Sequence, residues 1–287
     1  MPDEKTPVMS FGDPEELARQ KAIENAKLLA ANEDKYKVPT EFVQIPSKGL
    51  VYSKDSTLYN AEEIEIKHMA APQEDILTSL SLIRSGRVID ELLKSCMVNK
   101  AVHPEQLLLG DRNALMVAIR VTGYGPEYPV DVTCPDCGEL NKEFNFDLSK
   151  LNINMLALQP AEDGMNKFSY EFPDKKNKVE FKFLTAQDSK EISDEINAMK
   201  KVRGAAAETN TTSTLKKQIL SLNGDTNRGQ INRFVDSLSL RNVRAFRKYL
   251  DDQEPDVIMK QNFACNSCGA TNIVNVNISN NFFWPQI

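Results

Sequence analysis

The sequence predicts an α+β protein: a mixed helical and short-strand domain with a split ribbon and an inserted hairpin-plus-helices subdomain. Three observations predict it. Two Cys-x-x-Cys-Gly knuckles, Cys134-Pro-Asp-Cys137-Gly138 and Cys265-Asn-Ser-Cys268-Gly269, take up four of the five cysteines. Each is flanked by segments with partial period-2 alternation, Val130/Val132 and Phe144/Phe146 around the first and Val274/Val276/Ile278 after the second. The 127 residues between Cys137 and Cys265, positions 138 to 264, hold a hairpin pattern and several helical ones of their own.

Two thiolates spaced by two residues can turn onto one metal ion, and two such turns complete a tetrahedral sulfur site. Glycine after the second cysteine suits the turn because it tolerates positive φ. The expected ligands are Cys134, Cys137, Cys265 and Cys268, and the expected ion is Zn2+ in a structural role, with iron in the same cage as the second choice. Two unrelated redox or incidental cysteine pairs are the plainer alternative. A compact zinc ribbon separates its knuckles by about 15–20 residues, so the long gap makes this a split zinc ribbon. Closing a loop of that length costs about 4 kcal/mol plus a constant. Structural zinc supplies roughly 10–16 kcal/mol in small peptides, enough to hold the closure.

Composition narrows the classes. With 287 residues, 41% hydrophobic and 26% charged, the chain reads as an ordinary globular protein of one large domain or two modest ones. A net charge of −6 and a pI near 5.2 argue against nucleic acid as the main partner, since phosphate contacts need a basic face. No apolar run is long enough to span a membrane, and Met1-Pro-Asp-Glu-Lys-Thr6 lacks the features of a signal peptide. Metal-spaced cysteines with one left over suit a reducing cytosol. Cys96, in an apolar helical pattern, is expected to be a small core residue.

The elements follow in order. Residues 1–35 form an N-terminal arm: Asp13 caps a helix with Pro14 at its first position, and the helix runs to about Asn32 with an alanine-rich face. Residues 36–127 are an N-terminal α+β region. Here Pro46-Ser-Lys-Gly49 turns between two short strands, and Glu62–Lys67 is a strand with Ile64 and Ile66 on one face. A helix follows with Ile76, Leu77, Leu80 and Ile83 in one stripe and a stop at Ser85-Gly86. A second carries Val88, Ile89, Leu92, Leu93 and Cys96, and a third, Ala114–Val121, is apolar nearly all round. Residues 128–150 and 256–280 are the two ribbon halves. The insertion, 151–255, contains the hairpin Lys167–Phe172/Lys178–Phe183 and a helix capped by Thr185 with Ile192, Ile196 and Met199 inside. A flexible 204–213 loop and helices at Leu215–Leu222, Gly229–Leu238 and Leu240–Asp251 complete it. Residues 281–287 are an aromatic tail, either an interaction tail or a plug that staples the chain end to the core.

No catalytic constellation emerges. His68 and His103 have no motif partner, Gly123-Tyr-Gly125 lacks the third glycine of a dinucleotide loop, and Asp111-Arg112-Asn113 reads as a helix cap with an ion pair. A four-thiolate site leaves no open coordination position, so it is structural. The chain is expected not to be an enzyme.

Several stretches carry a resemblance: Pro46–Tyr52, Pro72–Leu77, Leu109–Arg120 with Tyr124–Tyr128, Gln230–Leu238 with Arg241–Tyr249, and Phe282–Pro285. In this order along residues 40–285 they resemble the baseplate hub subunit and hub-assembly family of T4-like contractile-tailed bacteriophages. The resemblance implies a structural or assembly role in the virion tail baseplate, in a protein made in the host cytoplasm. It further implies other baseplate or tail proteins as partners, with no small-molecule substrate and no specific nucleic acid. The alternative is a zinc-ribbon nucleic-acid-binding or transcription-associated protein. That reading calls for basic and aromatic residues near the knuckles, where the chain has Asp136, Glu139, Asn266 and Ser267.

Overall fold

A computed structural model describes residues 19, 37–203, 210–275 and 282–284. The chain divides into two units, Met1–Pro39 and Thr40–Ile287. The arm helix expected over 13–32 lies outside the described residues except for Arg19, which is helical.

The second unit is α+β, with eight α-helices and five small antiparallel sheets among the described residues. Strand β1 (Thr40–Gln44) pairs with β2 (Glu63–Lys67) in the register Phe42↔Glu65, which buries Ile64 and Ile66. Three helices follow: α1 (Ala71–Thr78), α2 (Leu80–Ser85) and α3 (Val88–Cys96). The longest early helix, α4 (Leu109–Tyr124), is the spine of the core, with Leu115 and Ile119 fully buried. Each such side chain contributes about 1.5–3 kcal/mol.

Two hairpin-like pairs carry the knuckles: β3 (Glu127–Thr133) with β4 (Leu140–Asp147), and β10 (Lys260–Ala264) with β11 (Thr271–Asn275). Between them in the chain, β5 (Asn152–Asn154) pairs with β9 (Asp256–Ile258). A three-stranded sheet consists of β6 (Phe168–Glu171), β7 (Lys178–Phe181) and β8 (Ile219–Leu222). Helices α5 (Ala186–Arg203), α6 (Asn210–Gln218), α7 (Arg228–Ser237) and α8 (Leu240–Gln253) accompany it. Rings from both sheet and helix meet here: Tyr170 lies 4.8 Å from Phe246 and 4.7 Å from Tyr249.

Several sequence expectations need correction. No strand forms after Gly49; residues 46–60 make a compact turn instead, and β1 finds its partner in β2. The turn is anchored from below: Ser47 donates to Asp111 from its backbone N (2.8 Å) and Oγ (2.6 Å), and Tyr52 Oη donates to Asp111 at 2.5 Å. Asp111 is therefore a buried acceptor in the first turn of α4, whose cap is Leu108. The expected ion pair is instead Arg112 with Asp90. The expected helix over 73–83 breaks at Ser79, whose ψ of 104° is extended. The break turns Leu80 and Ile83 out to 66% and 42% exposure, while Leu77 stays buried.

Residues 219–222 are strand rather than helix, because the open edge of β7 offers backbone partners that override local propensity. Helix α6 begins at Asn210, so the expected 204–213 loop is helical over 210–213, and 204–209 lie outside the described residues. Met199 is exposed, while the apolar side chains that α5 buries among the described residues are Ile192 and Ile196, against Leu184 and Leu109. The strand expected over 257–264 is two strands split at Met259, one pairing with β5 and the other with β11. At the chain end Phe282 and Phe283 are buried, and Trp284 Nε1 donates to the Leu77 carbonyl at 2.9 Å. Of the two readings of this tail, the staple is the one these contacts match.

Candidate metal centre

Each knuckle is built by the same local chemistry. In the first, Gly138 N donates to Cys134 O (3.0 Å) and Cys134 N to Glu139 O (2.9 Å). In the second, Gly269 N donates to Cys265 O and Cys265 N to Ala270 O, both at 2.9 Å. Gly138 and Gly269 hold φ near +74° and +73°, a conformation that closes such turns and that side-chain-bearing residues seldom adopt. The first cysteine of each pair is buried and the second exposed.

The two turns face each other, and the four sulfurs all lie within 4.8 Å of one another. Across the gap Cys134 Sγ is 3.8 Å from Cys268 Sγ, and Cys137 Sγ is 3.7 Å from Cys265 Sγ. A tetrahedron with metal–sulfur bonds of about 2.3 Å has edges of about 3.8 Å. A disulfide requires about 2.05 Å. The donor set therefore fits a four-coordinate thiophilic ion. Bound there, the ion supplies a cross-link with no vacant coordination position.

Further contacts hold the hairpins face to face. Asn141, 5% exposed, accepts at Oδ1 from Asn266 N (2.9 Å) and donates from Nδ2 to Cys265 Sγ (3.5 Å). Asn272 Nδ2 donates to Asp136 at 2.8 Å. The side-chain amide of Gln261 continues the join, donating to Asp147 O at 2.8 Å and accepting from Asp147 N at 3.3 Å. Below these, Phe144 packs edge-on against Phe263 with centroids 5.0 Å apart.

The thiols have unequal acidities. The Cys268 backbone N–H, and after it Asn141, favour the Cys265 thiolate and pull that pKa down to about 6. For Cys137 the Glu139 backbone N–H also favours the thiolate, but desolvation and the three neighbouring sulfurs push it up to about 12. Four neighbouring thiols without an ion cannot all ionise together; a bound cation removes that conflict.

The remaining sequence candidates do not gather into a site. His68 sits 3.7 Å from Glu41, and His103 precedes the short turn Pro104–Gln106. Gly123-Tyr-Gly125 is the last turn and stop of α4. Cys96 is fully buried, and desolvation pushes its thiol up to about 11. Sequence reasoning missed Asn141 and Gln261, whose amides have no motif to mark them; their only signal is proximity to the knuckle strands. It also missed an acidic cleft of about 480 Å³ beside β9, lined by Asp251, Asp252, Glu254 and Asp256. Among the described residues no helix is long and apolar enough to cross a membrane.

A helical spine, small antiparallel sheets and a cluster of four cysteine sulfurs able to hold a metal ion define an α+β protein with a candidate structural metal site. A family model described as T4 bacteriophage base plate protein matches residues 51–284, and the chain belongs to that family. The family is one of structural phage-tail components. A search of curated proteins found no match, and a search of solved structures found none.

Proposed function

We propose that the chain is a structural component or assembly factor of the baseplate hub, binding neighbouring baseplate proteins, and that Cys134, Cys137, Cys265 and Cys268 clasp one zinc ion. The observation that carries the clasp is the pair of cross-knuckle distances, 3.8 and 3.7 Å, which match the edges of a zinc–sulfur tetrahedron. Family membership carries the tail role. In this reading residues 128–150 and 256–280 are two halves of one split ribbon, residues 151–255 are a subdomain inserted between them, and residues 36–127 are the N-terminal region. Zinc ties together strands that begin and end the insertion and so presents a rigid surface to neighbours. Partners then bind by shape and buried apolar anchors. Iron would fit the same sulfurs, and in either case the closed cage leaves no coordination position for a bound substrate.

The test is substitution. Cys134→Ser and Cys265→Ser each lower the melting temperature by about 5 °C or more, by analogy with a loss of about 2 kcal/mol or more. Neither variant is incorporated into baseplates in a complementation assay with tail fractions. Unchanged melting together with normal incorporation would refute the clasp. Loss of metal with normal incorporation would separate the clasp from the assembly role.

A further inference from the structure

Arg120 is one of the largest fully buried side chains in the chain, 2% exposed. Its guanidinium lies 5.0 Å from the Tyr124 ring centroid, 5.6 Å from Tyr128 and 6.0 Å from Phe282. Nη2 donates to the Glu127 carbonyl at 3.2 Å, while Nε and Nη1 have no acceptor among the described residues. A guanidinium carries five donors in a planar fork and stays charged. Buried cations are normally paired with carboxylates, since desolvation otherwise goes uncompensated. The ring faces offset part of that cost, but they offer no acceptor to the in-plane N–H groups. The carboxylate tied to this cage, Glu74, accepts from Tyr124 Oη at 3.1 Å instead.

Two walls of the cage, Tyr124 and Tyr128, belong to α4 and β3. The third, Phe282, comes from the last few residues of the chain. It stacks edge-on against Tyr128 at 5.2 Å and against Phe283 at 5.1 Å, and Trp284 fastens the segment through a hydrogen bond to the Leu77 carbonyl. The segment thus closes over a charged group two of whose nitrogens, Nε and Nη1, meet no acceptor among the described residues.

We propose that Phe282-Phe283-Trp284 is a displaceable cover over a carboxylate-binding site centred on Arg120, and that its occupant is an acidic segment of a neighbouring protein. Charge complementarity selects the occupant: a carboxylate supplies the two acceptors that Nε and Nη1 lack, in the paired geometry an Arg fork favours. Displaced, the cover presents three aromatic side chains to the same neighbour, the residue types enriched at interface anchors. The surface extends the assembly role and rests on it only for naming the neighbour as a baseplate protein.

Trp284 is the only tryptophan, so its emission reports the cover in the intact chain. The probes are three blocked peptides: Asp-Phe-Glu-Phe, its amide counterpart Asn-Phe-Gln-Phe, and Lys-Phe-Lys-Phe. The acidic peptide red-shifts Trp284 emission and saturates; the amide peptide binds roughly tenfold or more weakly, the loss of one charge-assisted pair; the basic peptide gives no shift. Arg120→Met abolishes the response, Arg120→Lys weakens it, and Phe282→Ala tightens acidic binding by loosening the cover. Equal responses to the acidic and amide peptides would overturn the proposal, as would no response in both the wild-type chain and Phe282→Ala. The peptide comparison stands even where Arg120→Met fails to fold, and it is independent of phage assembly.

Discussion

Among the described residues Asp111, Glu254 and Asp256 are carboxylates that sit where burial disfavours their charge. Asp111 is fully buried, and desolvation raises its pKa although Ser47 and Tyr52 donate to it and partly offset the shift. Glu254 follows the α8 helix, where desolvation first, and then Asp256 and Asp251, push its pKa from 4.5 up to about 7. A raised carboxyl pKa means the folded state holds the proton more tightly than the unfolded one. Glu254 therefore contributes stability that is fully present below pH 4.5 and is lost as the pH rises through about 7. Glu254→Gln should flatten the fall in melting temperature between those pH values, measured by scanning calorimetry across the range. An unchanged slope would mean that the carboxyl titrates normally. Neither burial is visible in sequence, where Asp111 reads as a helix cap and Glu254 as one member of the acidic stretch 251–256.

At the level of elements, the contact between α4 and β9 is set by one small residue. A Cβ on Gly110 would stand 1.8 Å from Pro255 O and 2.8 Å from Asp256 Cα, backbone atoms with nowhere to go. Asn113 Nδ2 bonds Asp256 at 3.0 Å on the same face. Gly110→Ala should destabilise the fold by about 3 kcal/mol, the upper range for overpacking, read from urea unfolding. A change below about 0.5 kcal/mol, the scale of an ordinary surface substitution, would show that the helix start shifts freely. Elements with strong local signals were legible: the β2 alternation, the α3 stripe, the β6–β7 hairpin and the strands around both knuckles. Those decided by distant partners were not. Ile219–Leu222 became strand because β7 had an open edge, and the 73–83 helix broke at Ser79, leaving Leu80 and Ile83 exposed. The candidate metal site was legible in its four cysteines because ligand spacing is local. Its bracing by Asn141, Asn266 and Gln261 was not, because amide contacts between hairpins depend on the folded register.

For the whole molecule, the knuckles bring together segments more than a hundred positions apart, with Cys134 and Cys268 separated by 134 in sequence. The same join is made by the amides of Asn141, Asn272 and Gln261 and by Phe144 on Phe263, so a bound ion would add to an interface these contacts already hold. In a baseplate protein, as the family match makes this chain, the proposed clasp would stiffen a surface offered to neighbours. The aromatic chain end closes a second long-range contact, on α1 and α4, which the sequence left open between a tail and a staple. Metal analysis joined to X-ray absorption on the purified chain tests the proposed zinc clasp. The expected result is one zinc ion per chain with four sulfur neighbours at about 2.3 Å, lost in Cys268→Ser. A chain without stoichiometric metal, or a metal with oxygen or nitrogen neighbours in place of two sulfurs, would contradict it.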